Sequence, residues 1–350
     1  MDFIENKNLN TLTLLWEPVD SGCRLLRCFG NSPILNVPDR IDQRKVTEIG
    51  AYCFSRSRPR FPEAVYKTIF IDTENQESSL ENGLKFNRKD FDFSSFGTEL
   101  DGTFLEEITL PDSVTTLHNA AFYNCRKLKM LSVGTGISGI GSDEFTNDSH
   151  LENLIIRGTD AEVTGLSLIL ERIAENITVS FCPDSAAPPQ SILFFPEYYE
   201  WLDEISPAHI FSRSIHGEGF RMRKSFENDI LDYRKYDSCF ENALTVESPE
   251  SLCKIALNRL RWPSRLDDTF RENYESVIRK YMDTAFTLSI AEQNFPLLQF
   301  ICQYFSPDDT ALSTAINLCI EKEWGEGNAF LIEEKHKIFS EKTFDFDLDF

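Results

Sequence analysis

The chain has 350 residues, 41% of them hydrophobic, and its 57 acidic against 35 basic side chains give a formal net charge of -22. That length exceeds what one core ordinarily holds, so two or three modules are expected. The charge repels phosphate backbones and anionic lipid surfaces, which excludes nucleic acid and membrane as expected partners.

The chain opens with Met1-Asp2-Phe3-Ile4-Glu5-Asn6, acidic where a secretory signal is basic. No segment approaches the roughly 20 apolar residues needed to span a bilayer. Nine cysteines, an odd number with no C-x-x-C spacing, fit a reducing compartment. A cytoplasmic protein is expected. Repeat-like sequence begins at Ile34-Leu35-Asn36-Val37-Pro38-Asp39 and runs through Val46-Thr47-Glu48-Ile49-Gly50 to Phe54. The clean copies come later. Leu105, Leu110, Val114, Leu117, Phe122, Leu128 and Leu131 recur as Leu128, Val133, Ile137, Ile140, Phe145, Leu151 and Leu154, each displaced by 23 residues. Such a period marks a solenoid of the leucine-rich type, whose units bury an apolar face only by stacking. Val46, Ile49 and Phe54 precede Val114, Leu117 and Phe122 by 68 residues, one short of three periods. Two degraded units are therefore expected between them, with residues 67–71 the strand of one and 84–86 or 91–93 that of the other. Residues 72–82, rich in Glu, Asn, Gln and Ser, read as a surface insertion.

Within a unit, alternation sends Ile108 and Leu110 one way and Thr109 the other. Pro111-Asp112 then ends the strand, because proline lacks the donor that would extend the ladder. Val114 and Leu117 cover the core on the return path, and Ala121-Phe122 press inward. By the same alternation Phe70, Thr109, Ser132 and Ile155 are placed on the outer face of the stacked sheet. They are the candidate partner-binding residues, with ordinary exposed strand positions as the alternative. The unit resembles the BspA-like leucine-rich repeat family through Leu110, Pro111, Val114, Leu117, Ala121, Phe122 and Cys125, over roughly residues 20–158. The second copy departs at Gly134, Glu144 and Asp148, which stand where the first has proline, alanine and cysteine. The resemblance implies a protein-interaction scaffold, and many such proteins are exported to bacterial surfaces.

After Gly158 the pattern fades into a helical stretch near 166–173 and a strand near 177–181, a degenerate last unit serving as cap. The leucine-rich domain is thus placed at 1–185. An aromatic connector follows at 186–245, a helical domain at 246–342 and an acidic, apolar-alternating tail at 343–350. In the helical part Ser248-Pro249 is a serine cap with proline at the first helical position. From there Leu252, Ile255, Ala256 and Leu260 form a helical stripe that ends before Pro263; further helices are expected over 270–281, near 284–293 and 296–305, then after Ser306-Pro307-Asp308-Asp309, and last around Ala329, Phe330 and Ile332. Short paired helices are similar to degenerate ankyrin-type repeats, without the T-P-L-H signature, and an irregular bundle is the alternative. The tail could add as a strand to an exposed sheet edge or simply fray.

Chemistry-bearing motifs are weak. Ile215-His216-Gly217-Glu218-Gly219 has no G-x-S-x-G elbow to serve. The five histidines include no H-x-x-x-H pair. The glycines from Gly134 to Gly139 lack the G-K-S/T ending of a phosphate loop. The basic cluster Arg213, Arg221, Arg223, Lys224, Arg234 and Lys235 stands among acids and reads as surface pairing. The expected fold class is α+β, a short leucine-rich-repeat solenoid followed by an all-α helical-repeat or bundle region. The expected function is a non-enzymatic, cytoplasmic bacterial scaffold that binds protein, with no cofactor and no metal. An exported adhesin and an enzyme with a site near His216 are the rival readings.

Overall fold

The computed structural model describes residues 11–57, 61–73, 76–87, 96–184, 186–205 and 210–344. Its contacts divide the chain into a first unit, Met1–Lys235, and a second, Tyr236–Phe350.

The first unit opens with an antiparallel hairpin of β1 (Thr11–Val19) and β2 (Gly22–Phe29). The first repeat supplies β3 (Ile34–Asn36), β4 (Arg40–Ile41) and β5 (Arg44–Ile49), and β6 (Ala64–Thr73) and β7 (Gln76–Asn87) follow. The clean copies give β8 (Glu107–Thr109), β9 (Thr116–Leu117), β10 (Met130–Gly134), β11 (Gly139–Ile140) and β12 (Asn153–Arg157). A short helix α1 (Leu166–Leu170) then precedes β13 (Ile177–Phe181) and β14 (Ser191–Phe195). One sheet runs β14-β13-β12-β10-β8-β3, parallel from β13 to β3 and antiparallel only at β14. The return strands β5, β9 and β11 stack in a second sheet ordered β11-β9-β5-β2-β1-β6-β7. This part of the first unit is thus a β-solenoid, and the degenerate cap unit is its last parallel rung.

The two degraded units expected between the first repeat and the clean copies are not rungs. Leu35 pairs directly with Ile108 and Ile49 with Leu117, so the first repeat stacks on the second with nothing between. Residues 67–71 lie in β6, antiparallel to β1, and residues 84–86 lie in β7, antiparallel to β6. Length is the physical reason. Rung strands have three to five residues before the chain turns a corner, whereas β6 and β7 have 10 and 12 and pair as a hairpin. Residues 91–93 fall outside the described residues.

The 23-residue pattern reappears as packing. Of the thirteen positions that carry it, all but Ile140 are buried. Phe54, Phe122 and Phe145 form a ladder of stacked rings with centroids 5.1 and 5.3 Å apart. Tyr52, Ala120 and Asp143, one per unit, turn the corner in the left-handed region at φ 57°, 57° and 56°. The next turn carries Asn124 and Asn147, also left-handed, and the Asn147 Nδ2 donates to Asn124 Oδ1 at 2.9 Å. Asparagine tolerates that conformation better than other side chains. Gly165 at φ 71° precedes α1, and a Cβ there would lie 2.2 Å from the Ile137 carbonyl oxygen.

Residues 186–235 of the sequence-defined connector lie in the first unit. They hold β14, a ribbon of β15 (Tyr199–Ile205) and β16 (Ile210–His216), helix α2 (Gly219–Met222) and a small hairpin of β17 (Phe226–Glu227) and β18 (Ile230–Leu231). Arg223 is buried rather than part of a surface cluster. Its guanidinium donates to the carbonyls of Ile173, Pro196, Gly219 and Glu175. Four of the other cations pair with acids, Arg213 with Glu200, Arg221 with Glu218, Lys224 with Glu171 and Lys235 with Asp232.

After α3 (Tyr233–Ser238), the second unit runs through α4 (Phe240–Val246), α5 (Pro249–Arg261), α6 (Asp268–Lys280), α7 (Met282–Ala291), α8 (Phe295–Phe305), α9 (Asp309–Glu321) and α10 (Gly325–Phe344). Ser248, Asp267, Asn294 and Asp308 cap their helices by accepting a backbone N–H. Helices pack in sequential pairs, α5 with α6, α7 with α8 and α9 with α10, while α5, α7 and α9 also touch in a row. Asp237, Arg259 and Tyr274 form a buried knot. Arg259 Nε and Nη2 donate to the two Asp237 oxygens at 2.7 and 2.9 Å, and the Tyr274 hydroxyl donates to Oδ1 at 2.7 Å. Of the tail, Thr343 and Phe344 end α10; residues 345–350 lie outside the described residues.

Candidate functional site

Stacking turns separate strand residues into rows. Pairing registers place Asn36, Thr109, Ser132, Ile155, Ser180 and Ile192 side by side across all six strands of the first sheet. A second row of Ile34, Glu107, Met130, Asn153 and Thr178 runs beside it. With neighbouring strands about 4.8 Å apart, six strands make a face about 24 Å wide. Ile108, Leu131, Leu154 and Val179 point the other way and are buried. Thus Thr109 and Ile155 lie on the predicted outer face, partly exposed.

Ser132 lies in the same row but is only 5% exposed. Arg157, at the end of β12, covers it. The guanidinium donates to Ser132 Oγ at 2.6 Å, to Asp112 Oδ1 at 2.6 and 2.9 Å, and to the Leu110 carbonyl. This reach spans two rungs, and Gly134 permits it. Gly134 pairs with Arg157 in the ladder, and a Cβ on it would lie 2.7 Å from the Asp112 Cα. The glycine that departs from the repeat pattern therefore leaves the space that Asp112, the carboxylate Arg157 reaches, occupies against it. Sequence alone carried a signal for this, since Gly134 stands where the repeat has proline, but nothing pointed to Arg157.

Phe70 does not belong to the face. It is 8% exposed and sits in β6, opposite Leu12 in the other sheet. The assignment failed because it rested on the degraded rung that the structure replaces with a hairpin.

The lower rim of the face carries a charge ladder at the repeat period. Lys129 Nζ lies 2.8 Å from Glu106, 23 residues earlier. That hydrogen bond lowers the Glu106 carboxyl and raises the Lys129 ammonium, with Glu152 and Glu107 adding to the latter. The second sheet carries its own row. Arg24 donates to Glu17 at 2.7 Å and to Glu48 at 2.8 Å, and His118 Nε2 lies 2.7 Å from the same Glu48 oxygen. Burial works against ionisation of Glu48, but the bonds from His118 and Arg24 outweigh it and hold its carboxyl below the ordinary range.

Ser214 Oγ lies 3.2 Å from His216 Nε2, and the imidazole stacks on Tyr199 with centroids 4.9 Å apart. Both sit on an exposed ribbon, and among the described residues no carboxylate orients the ring, which a working Ser–His pair requires. A cleft of about 280 Å³ is lined by Arg172, Tyr198, Phe220, Arg223 and Lys224 among others. Its Arg223 is committed to backbone carbonyls and its Lys224 to Glu171. Among the described residues no group of three or more His, Cys, Asp or Glu side chains could hold a metal ion, and no helix is long and apolar enough to cross a membrane. The sequence reading missed the exposed apolar side chains of the ribbon, Tyr199, Trp201, Leu202 and Ile215, because an aromatic-rich stretch reads equally well as core.

No curated protein and no solved structure matches the chain. Residues 99–167 match the family model described as BspA type Leucine rich repeat region (6 copies). The match takes in both clean copies, and the first repeat, outside it, stacks on them in register. The first unit is thus a leucine-rich-repeat solenoid whose middle is similar to the BspA type, the architecture of a repeat-based interaction scaffold.

Proposed function

We propose that this chain is a non-enzymatic scaffold that binds a protein partner across the outer face of the six-stranded sheet. The register row from Asn36 to Ser180 carries the reading, because it sets apolar Ile155 and hydrogen-bonding Thr109, Ser180 and Asn36 in one line. A face about 24 Å wide accommodates about seven residues of extended chain, and Ile34 and Met130 in the adjoining row add apolar contact. All nine cysteines are free, which supports a reducing, cytoplasmic setting. The stacked helix pairs of the second unit support an ankyrin-like reading of that part.

A photo-crosslinking side chain at Thr109 or Ile155 is expected to capture one reproducible partner from native lysate. The same group at Lys85, exposed on β7, is expected to capture none. The T109R/I155R double variant should lose that partner while keeping the β signal in circular dichroism. Crosslinks from Lys85 but not from Ile155, or a partner retained by the double variant, would overturn the assignment.

A further inference from the structure

Glu144 and Asp148 occupy the positions that Ala121 and Cys125 hold one period earlier. Both lie inside the solenoid, 1% and 3% exposed. Asp148 Oδ1 accepts the Cys125 N–H at 2.6 Å. Asp148 Oδ2 and both Glu144 oxygens have no hydrogen-bond partner among the described residues. The Ala121 backbone is near enough to ease ionisation of Glu144 without forming a hydrogen bond of normal geometry. From the preceding unit comes Cys125, whose thiol donates to the Phe54 carbonyl at 3.3 Å and feels the charges of Asp148 and Asp101; from the following turn come Arg172 and Glu175. One cation among this many acids does not neutralise two buried carboxylates. Buried polar atoms without partners are rare in folded proteins, and a buried carboxyl with no cation resolves its desolvation by holding a proton.

We propose that Glu144 and Asp148 enter the solenoid protonated and make the stacking of the rung at residues 130–148 on its neighbours proton-linked, so that the joint loosens as they ionise. Burial above all raises Glu144 from 4.5 to about 8 and Asp148 from 3.8 to about 8. Unfolded, the same groups ionise in the ordinary carboxyl range. The native state therefore binds extra protons between about pH 4 and about pH 8. Stability is full below that window and is lost as pH rises through it. Each acid multiplies the opening constant by up to about tenfold per pH unit. The linkage holds whatever the sheet binds.

Hydrogen exchange of the full chain tests it, read on peptides covering residues 116–160 and corrected for the intrinsic pH dependence of exchange. Between about pH 6 and about pH 8 the wild-type opening constant is expected to rise at least tenfold. In E144Q/D148N it should stay nearly constant. E144A/D148C, which restores the residues of the preceding unit, serves as the second variant. Protection in the wild type that is independent of pH, or an equal rise in either variant, would overturn the proposal. So would protection restored by calcium or magnesium at about pH 8 in the wild type alone, which would assign the pair to a cation. Should neither variant fold, a wild-type loss confined to residues 116–160 supports the proposal and a uniform loss across the first unit refutes it.

Discussion

Arg157 shows how much one side chain decides on the outer face of the six-stranded sheet. It converts the serine of the central row from an exposed hydroxyl into a buried acceptor and ties Asp112, two rungs away, to β12. Because Arg157 is largely covered while Asp112 is exposed, the charge pair itself is worth little and the bonds to Ser132 and Leu110 hold the arrangement. Arg157→Ala is expected to destabilise the first unit by about 1–2 kcal/mol in urea denaturation. The same change should expose Ser132 to partner contact. Gly134→Ala should cost more than Arg157→Ala, since its Cβ meets backbone rather than a flexible side chain. Equal losses in the two variants would sink this account of the glycine.

The stacked ring ladder joins three successive units of the solenoid. Phe122 sits between Phe54 and Phe145 and is fully buried, so it contributes its area to two interfaces at once. Phe122→Ala is expected to cost about 3–5 kcal/mol, against less for Phe145→Ala, which has one stacked ring among the described contacts. A chemical-denaturation series with Phe54→Ala, Phe122→Ala and Phe145→Ala checks the order. The periodic residues made this ladder legible before any coordinates. The hairpin of β6 and β7 was not legible, because its alternating residues suit a lone hairpin and a solenoid rung equally well. Only strand length and partner choice separate those two outcomes, and partner choice is a long-range contact.

For the whole molecule, two units carry two kinds of cohesion. The solenoid depends on repeated apolar rungs. In the second unit, the Asp237–Arg259–Tyr274 knot joins α3, α5 and α6 in a fully buried site. Burial and the adjacent Asp237 carboxylate push the Tyr274 phenol well above its ordinary value, so it remains a hydrogen-bond donor. Asp237→Ala strands a buried guanidinium and is expected to cost about 3–5 kcal/mol. Calorimetry should show that loss in the helical unit's transition, with the β signal of the solenoid retained. A change below about 1 kcal/mol would show the knot to be dispensable.

By itself the sequence determined the repeat, its 23-residue spacing, the buried ladder and the helix caps at Ser248 and around Asp308. Each of these is set within a few residues or by a periodicity that local physics enforces. It also placed Thr109, Ser132 and Ile155 in one row, because a strand's alternation and a fixed period leave no other arrangement. The tertiary structure alone decided that Phe70 lies elsewhere, that Arg157 covers Ser132, and that Glu144 and Asp148 sit buried without full hydrogen bonding. Those outcomes depend on which strands become neighbours and which space a missing side chain leaves open, and neither is encoded in any short stretch of chain.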